Sequence, residues 1–273
     1  MKQYPAIDVR ADSSDLLLAL VDDFGPTAVE ERDARVRIFF PTATERDAAQ
    51  RALALEFDVS AVDVDDEDWA RRSQENLKPI TVDRITIAPP WAVGISPSPQ
   101  SPAPSLFTIV ILPSMGFGTG HHVTTRLCLA ALQAVDVTDR VVLDVGTGSG
   151  VLAIAAHRLG ARRVLGIDDD PDAIQSAREN LGLNPDVRHV RFETLDLAAH
   201  ALPDADVVTA NLTGALLVRS SAALLAALRP GGTLILSGIQ SHERDEVRRA
   251  FADGEVCWER DEDGWVGLAV KKS

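Results

Sequence analysis

Segments that suit β-strands alternate with segments that suit α-helices from residue 125 to the end of the chain. This alternation requires a mostly parallel α/β sheet with helices on both faces, because each strand must return to the same edge through a helix. The last two strands instead flank the turn sequence Asp-Glu-Asp-Gly at 261–264, so we predict that the sheet ends in an antiparallel hairpin. The predicted helices are 125–135, 149–159, 171–181, 214–228 and 241–252, and the predicted strands are 141–145, 163–168, 188–192, 205–210, 232–237, 255–260 and 264–271.

Residues 4–65 show a different order of elements. The predicted elements are a strand at 4–11, a helix at 13–25, strands at 27–32 and 34–40, a helix at 43–56 and a strand at 59–65. This βαββαβ order is typical of a small ferredoxin-like α+β domain, in which two helices cover one face of a four-stranded antiparallel sheet. No catalytic cluster is visible in residues 1–65, so we predict that this domain recognises a partner.

A connecting segment is predicted at 66–105. It begins with "DEDWARRSQENLKPI", which suits a helix that Pro79 ends. One or two strands at 80–91 follow, and residues 94–105 then contain four prolines and four serines. That composition predicts an exposed, semi-extended loop. A strand at 106–112 opens the larger domain, 106–273.

The composition limits the possible partners and locations. A formal net charge of −14 argues against direct contact with nucleic acid and is compatible with a basic protein partner. No apolar run approaches the roughly 18 residues of a membrane span, and residues 1–12 carry no apolar signal segment. We therefore predict a cytoplasmic protein, expected to be a monomer. Cys128 and Cys257 lack the spacing of a metal site or a disulfide framework, and both are expected in the core.

The sequence "VVLDVGTGSG" is an apolar strand that ends near Asp144 and runs into Gly146, Gly148 and Gly150 at the start of a helix. Glycines let the backbone approach a ligand, and a helix N-terminus offers unpaired N–H groups and positive potential. Dinucleotide enzymes use the spacing G-x-G-x-x-G, whereas the third glycine here comes one residue sooner. The spacing D-x-G-x-G-x-G instead resembles the first motif of class I methyltransferases, which implies that an acidic side chain and backbone groups hold the methionine part of S-adenosylmethionine.

Acidic residues follow the next strand, in "VLGIDDD". Asp168 lies 22 residues after Gly146, where a carboxylate can accept both hydroxyls of a ribose. This position suits a methyltransferase or an NAD-dependent oxidoreductase equally well. The alternative is that Asp168, Asp169 and Asp170 only cap the helix that begins at Pro171, which explains Asp170 best.

Asn211 ends the apolar strand in "ADVVTANLTG", and side chains at the carboxyl ends of such strands face the ligand. A helix N-cap is the alternative interpretation. The later sequence "LRPGGTLILSG" predicts a helix end, a Pro-Gly-Gly turn and a strand. An earlier glycine turn, "GFGTG" at 116–120, precedes His121 and His122. No acid or cysteine at metal spacing accompanies these histidines, so we predict no metal site and expect them to stabilise the loop.

These segments together closely resemble the PrmA family, bacterial methyltransferases of large-subunit ribosomal protein eleven. The resemblance rests on "GFGTGHHVTTRLCLAAL", "VLDVGTGSGVLAIAAHRLGARRVLGIDDDPDAIQSARENLGLN", "ANLTGALL" and "LSGI", and it covers residues 66–272. It implies the seven-stranded, Rossmann-like fold of class I methyltransferases, with S-adenosylmethionine as cofactor. It also implies that the N-terminal domain binds the ribosomal protein.

The resemblance assigns roles to individual residues. The residues implied to contact S-adenosylmethionine are Thr125, Gly146, Asp168 and Asn211, with Asp144, Gly148 and Gly120 from the two glycine turns. Asn211 is also implied as the catalytic residue, because its amide would orient the amino group that accepts the methyl group. The acceptors would be lysine side chains, an N-terminal amine, or both. A methyltransferase of another protein's lysines, an NAD-dependent oxidoreductase and a non-catalytic binding module remain the alternatives.

Overall fold

The structure is a computed structural model that forms two compact units, Met1–Asn76 and Leu77–Ser273. It describes residues 3–11, 17, 20, 21, 24–32, 35–54, 57–65, 78–93, 107–112, 122–197 and 199–272. The predicted connecting helix at 66–79 and the predicted proline- and serine-rich loop at 94–105 lie almost wholly outside these residues. The predicted domain boundaries therefore stay predictions.

The N-terminal unit contains a four-stranded antiparallel sheet with the order β2-β3-β1-β4. Its elements are β1 (Gln3–Val9), β2 (Ala28–Arg32), β3 (Arg35–Phe39), α1 (Ala43–Leu53) and β4 (Val59–Asp65). This strand order is the one that a ferredoxin-like arrangement requires. Alternate residues of β1, such as Ile7 and Val9, pack into one core with Leu53 of α1 and with Leu17 and Val21. Leu17 and Val21 are helical, as predicted, and most other residues of the predicted helix at 13–25 lie outside the described residues.

The C-terminal unit contains the predicted seven-stranded sheet, with the order β10-β9-β8-β11-β12-β14-β13. The five strands from β10 to β12 are parallel, and β14 pairs antiparallel with β12 and β13. The α/β fold with an antiparallel terminal hairpin is thus confirmed. The elements are α2 (Val123–Ala134), β8 (Val141–Val145), α3 (Val151–Arg158), β9 (Arg163–Asp168), α4 (Pro171–Gly182), β10 (Val190–Thr194), β11 (Ala205–Asn211), α5 (Gly214–Ala227), β12 (Leu228–Gln240), α6 (Arg244–Ala250), β13 (Gly254–Glu262) and β14 (Trp265–Lys272).

Both faces of this sheet are buried, because successive side chains of a strand point to opposite faces. Val142 of β8 packs into the core that contains α2, α3 and α4, whereas its neighbour Leu143 packs into the core with α5 and α6. No helix within the described residues is long and apolar enough to cross a membrane.

A further sheet of three short strands lies beside α2 and α3. Its strands are β5 (Ile80–Val82), β6 (Ile85–Ala88) and β7 (Phe107–Val110); β5 pairs antiparallel and β7 parallel with β6. Ile85, Ile87 and Ile109 are fully buried in the same core as α2 and α3. The sheet therefore belongs to the C-terminal unit.

Two sequence expectations are wrong in this unit. The strand predicted at 232–237 begins earlier, at Leu228, and the Pro-Gly-Gly segment forms a bulge within β12, since β11 pairs with Leu228 and then, after a register shift, with Thr233. Gly231 in the bulge has a φ of +73°, a conformation that glycine adopts without strain. Cys128 is buried as expected, but Cys257 is exposed because it lies on β13, an edge strand.

Candidate active site

The candidate site lies at the carboxyl ends of three neighbouring strands. β9 pairs with one edge of β8 and β11 with the other, so the strand order reverses between β8 and β11. Ligands of open α/β sheets bind at such a switch point. The two registers end with Val145 opposite Ile167 of β9 and Ala210 of β11, so the next residues of the three chains, Gly146, Asp168 and Asn211, follow at one level. The span from β9 to β11 is two strand spacings, about 10 Å, which suits a nucleoside with a reactive group beyond its sugar.

The turn after β8 depends on glycine at three positions. Gly146, Gly148 and Gly150 have φ values of +67°, +52° and +79°, where a side chain would be strained. A Cβ on Gly150 would also lie 2.7 Å from Cζ of Phe192. Gly150 is the N-cap of α3 and provides no side-chain cap, so the positive end of the α3 dipole lies at the carboxyl edge of the sheet. An anionic ligand group is favoured there.

Asp168 combines a structural contact with capacity for a ligand. Its Oδ2 accepts a hydrogen bond from the Gly148 N–H at 2.9 Å, and its Oδ1 accepts one from the Asp170 N–H at 3.1 Å. A carboxylate offers about four acceptor sites, so it can still accept from ligand hydroxyls. The capping role that the sequence left open belongs to Asp170, whose carboxylate accepts from the Asp172 N–H at 2.9 Å.

Asp144 lies beneath the turn, with 1% of its surface exposed. Its carboxylate accepts hydrogen bonds from the hydroxyls of Thr147 at 2.6 Å and Thr209 at 2.5 Å. Burial raises the pKa of Asp144 to about 6, although these two hydroxyls favour the ionised form. A contact between Asp144 and the cofactor stays a prediction, and its burial indicates that it acts through Thr147 and the turn.

We expect Asp144 to make the protein less stable as the pH rises from about 4 to about 6. The pKa of Asp144 is about 6 in the folded state, against an ordinary value of 3.8, so the folded state binds this proton more tightly than the unfolded state does. The stabilisation that results is fully present below about pH 4 and is lost as the pH rises to about 6. The shift corresponds to about 3 kcal/mol. Urea unfolding from pH 4 to pH 7 should show that difference between the wild type and Asp144→Asn. Asp169→Asn, at an exposed position, should retain the wild-type profile, and identical profiles for all three proteins would contradict the assignment.

Asn211 is half-buried at the end of β11, beside Ser237 of β12. The alternative of a helix N-cap is wrong, because α5 begins at Gly214 with Thr213 as its N-cap. The hydrogen bonds among the described side chains do not involve the Asn211 amide. Its oxygen and NH₂ group are therefore available to a ligand.

Asn211 is positioned by a backbone contact that the sequence did not reveal. Gly238 has a φ of +84°, and a Cβ there would lie 2.1 Å from the carbonyl oxygen of Leu212. The Leu212 N–H donates to the Ser237 carbonyl at 3.1 Å, while Leu212 Cδ2 would lie 2.5 Å from a Cβ on Gly146. The residue after Asn211 is thus packed between the end of β12 and the glycine turn. The only signal in the sequence is the glycine of "LSGI".

The N-terminus of α2 carries two more residues for which the sequence predicts a role, Thr125 and His122. Thr125 is buried in the first turn, and its implied contact with the cofactor stays a prediction. His122 is the N-cap of α2, and its Nδ1 lies 2.8 Å from the Thr124 hydroxyl, in keeping with the expected stabilising role. Gly120 and His121 lie outside the described residues, as does the rest of the first glycine turn.

The sheet order, the terminal hairpin and the three-glycine turn at the switch point define a class I S-adenosylmethionine-dependent methyltransferase. Within that class, residues 17–273 match the model of the family described as "Ribosomal protein L11 methyltransferase (PrmA)". The chain belongs to the PrmA family, and the resemblance seen in the sequence is confirmed.

Individual relatives support this assignment. A ribosomal protein L11 methyltransferase of Deinococcus radiodurans is 39% identical over 245 residues, which cover 88% of this chain and 85% of that protein. One from Geobacter sulfurreducens is 40% identical over 247 residues, covering 85% and 79%. The crystal structure of a ribosomal protein L11 methylase from Lactobacillus delbrueckii subsp. bulgaricus superimposes with a TM-score of 0.62 at 29% identity, covering 72% of this chain and 99% of that one.

Proposed function

We propose that this protein transfers methyl groups from S-adenosylmethionine to amino groups of ribosomal protein L11, on lysine side chains, the N-terminal amine, or both. The observation that carries the proposal is the alignment of Gly146, Asp168 and Asn211 at one level of the switch point. The names of the relatives in the family supply the protein substrate.

The residues present fit the cofactor. The glycine turn and the N-terminus of α3 suit the carboxylate of its methionine part, since both favour an anion beside closely approaching backbone. Asp168 retains acceptor capacity for the two ribose hydroxyls. Thr125, Gly148 and Gly120 are further proposed contacts. When bound, S-adenosylmethionine supplies a methyl group already activated by its sulfonium.

Asn211 is proposed to orient the acceptor nitrogen. Its amide oxygen can accept a hydrogen bond from an amine and so direct the nitrogen lone pair toward the methyl carbon. A lysine with a pKa of about 10.4 loses its proton at a cost of roughly 4 to 5 kcal/mol at pH 7, and an α-amine at a cost of about 1 kcal/mol. Water can accept this proton before the amine reaches the site, so no general base is required. Positioning alone can contribute about 7 to 11 kcal/mol.

The N-terminal unit is proposed to recognise the ribosomal protein. Its ferredoxin-like strand order occurs with many functions and identifies none, and no catalytic cluster is visible in the sequence of residues 1–65. The net charge of −14 suits a basic partner, because opposite charge accelerates encounter. We further propose that the protein works as a monomer in the cytoplasm, where such a substrate is made.

The direct test is to incubate the purified protein with methyl-labelled S-adenosylmethionine and purified L11, and to locate the label by peptide mass spectrometry. We expect label on lysines or on the α-amine of L11. Transfer only to other basic proteins would contradict the substrate. Calorimetric titration with S-adenosylhomocysteine and with NAD checks the cofactor separately, and binding of NAD alone would contradict the whole proposal.

A further inference from the structure

Two asparagines four residues apart are buried at the end of α4. Asn180 and Asn184 are each 1% exposed; Asn180 lies in α4, which ends at Gly182, and Asn184 lies two residues beyond that end. A buried amide is costly unless its oxygen and its NH₂ group both have partners. Both asparagines meet this requirement through backbone groups.

Asn184 bonds to strand β7. Its Oδ1 accepts from the Val110 N–H at 3.0 Å, and its Nδ2 donates to the Val110 carbonyl at 2.8 Å and to the Asn180 carbonyl at 2.8 Å. β7 is the last strand of the order β5-β6-β7. The Asn184 amide therefore forms hydrogen bonds with the backbone at the outer edge of β7, as a neighbouring strand would.

Asn180 makes a different pair of bonds. Its Oδ1 accepts from the Leu112 N–H at 2.7 Å, just beyond β7, and its Nδ2 donates to the Ser149 carbonyl at 2.9 Å. Ser149 lies between Gly148 and Gly150 in the turn of the candidate site. One buried side chain thus joins the backbone at Leu112 to the turn that is proposed to bind the cofactor.

We infer that Asn180 is a positioning residue for cofactor binding, through its bond to the Ser149 carbonyl. The inference rests on the proposed function for the identity of the cofactor. All three glycines of this turn have positive φ, so its conformation depends on contacts from outside the turn, and the Asn180 amide provides one of them. Asn184, which is equally buried, makes no contact with the turn in the hydrogen bonds described and is the matched control.

The test compares Asn180→Asp with Asn184→Asp. Each substitution keeps an oxygen for the strand N–H and replaces the donating NH₂ with an oxygen, so both bury a carboxyl group in the same region. Only Asn180→Asp places a carboxyl oxygen against the Ser149 carbonyl oxygen, which accepts from Asn180 Nδ2 in the wild type. Titration with S-adenosylhomocysteine, at a temperature where circular dichroism shows both variants folded, should give a Kd raised at least about tenfold for Asn180→Asp and at most about threefold for Asn184→Asp.

Steady-state kinetics provides a readout that a merely structural role would not change. We expect Asn180→Asp to raise the KM for S-adenosylmethionine while the KM for the protein substrate stays within about twofold. Equal Kd values for the two variants, or no change in either, would overturn the inference. If the aspartate variants do not fold, Asn180→Ala and Asn184→Ala serve the same comparison without a buried charge. The titration needs no protein substrate, so failure of the wild type to bind S-adenosylhomocysteine would instead contradict the proposed function.

Discussion

Gly238→Ala is expected to lower the kcat of methyl transfer about 100-fold, because a displacement of about 1 Å near the reacting groups can cost that much. The new Cβ would lie 2.1 Å from the carbonyl oxygen of Leu212 and 2.7 Å from its carbonyl carbon. Both are backbone atoms, so the clash cannot be relieved by a side-chain rotation. The Leu212 backbone must move away from β12, and Asn211, the preceding residue, must move with it.

Gly231→Ala is the matched control. Gly231 lies near the other end of β12 with a φ of +73°, and no atom lies within 4 Å of a Cβ placed there. Both substitutions therefore carry the strain of a left-handed alanine, about 1 to 2 kcal/mol, but only Gly238→Ala adds the backbone clash. We expect Gly231→Ala to lose stability with kcat within about threefold of the wild type. Equal kcat values for the two variants would show that the contact between Gly238 and Leu212 does not position Asn211.

Asp168→Ala is expected to weaken the binding of S-adenosylmethionine at least about tenfold. Hydrogen bonds to a charged group contribute about 1.5 to 3 kcal/mol each, and a tenfold change in Kd corresponds to about 1.4 kcal/mol. The substitution removes the proposed acceptor of the ribose hydroxyls. It also removes the acceptor of the Gly148 N–H, which donates to Asp168 Oδ2 at 2.9 Å. Both losses reduce affinity, the second by loosening the turn.

The neighbouring Asp169 provides the control for charge. Asp169 is exposed, and Asp169→Ala removes the same charge next to the site without removing the contact to the turn. We expect its Kd, measured by calorimetry, to stay within about twofold of the wild type, since an exposed charge interacts weakly through water. If both variants bind S-adenosylmethionine as the wild type does, Asp168 does not contact the ribose.

Much of the fold could be predicted because it follows from local patterns. Apolar runs such as "VVLDV" and "RVLGID" give strands β8 and β9 with the predicted bounds, and the turn residues at 261–264 give the hairpin of β13 and β14. The start of β12 could not be predicted because it depends on a non-local ladder: β11 pairs with Leu228 before the Pro-Gly-Gly segment and with Thr233 after it. Local propensity places the strand only after these turn residues.

The candidate site likewise contains residues that the sequence identifies and contacts that it does not. The strand ends at Gly146, Asp168 and Asn211 could be found from the sequence because each directly follows an apolar run. The supporting contacts could not, since they join distant residues: Thr209 to Asp144 and Gly238 to Leu212. Cys257 looked like a core residue because cysteine is usually buried, and only the strand order shows that it lies on an edge strand.

A crystal structure of the protein with S-adenosylhomocysteine tests the central claim most directly. We expect density for the nucleoside across the carboxyl ends of β9, β8 and β11, with both ribose hydroxyls within hydrogen-bond distance of the Asp168 carboxylate and the sulfur facing Asn211. A ligand bound elsewhere on the chain, or a ribose that contacts other residues while Asp168 bonds only to the Gly148 and Asp170 N–H groups, would contradict it.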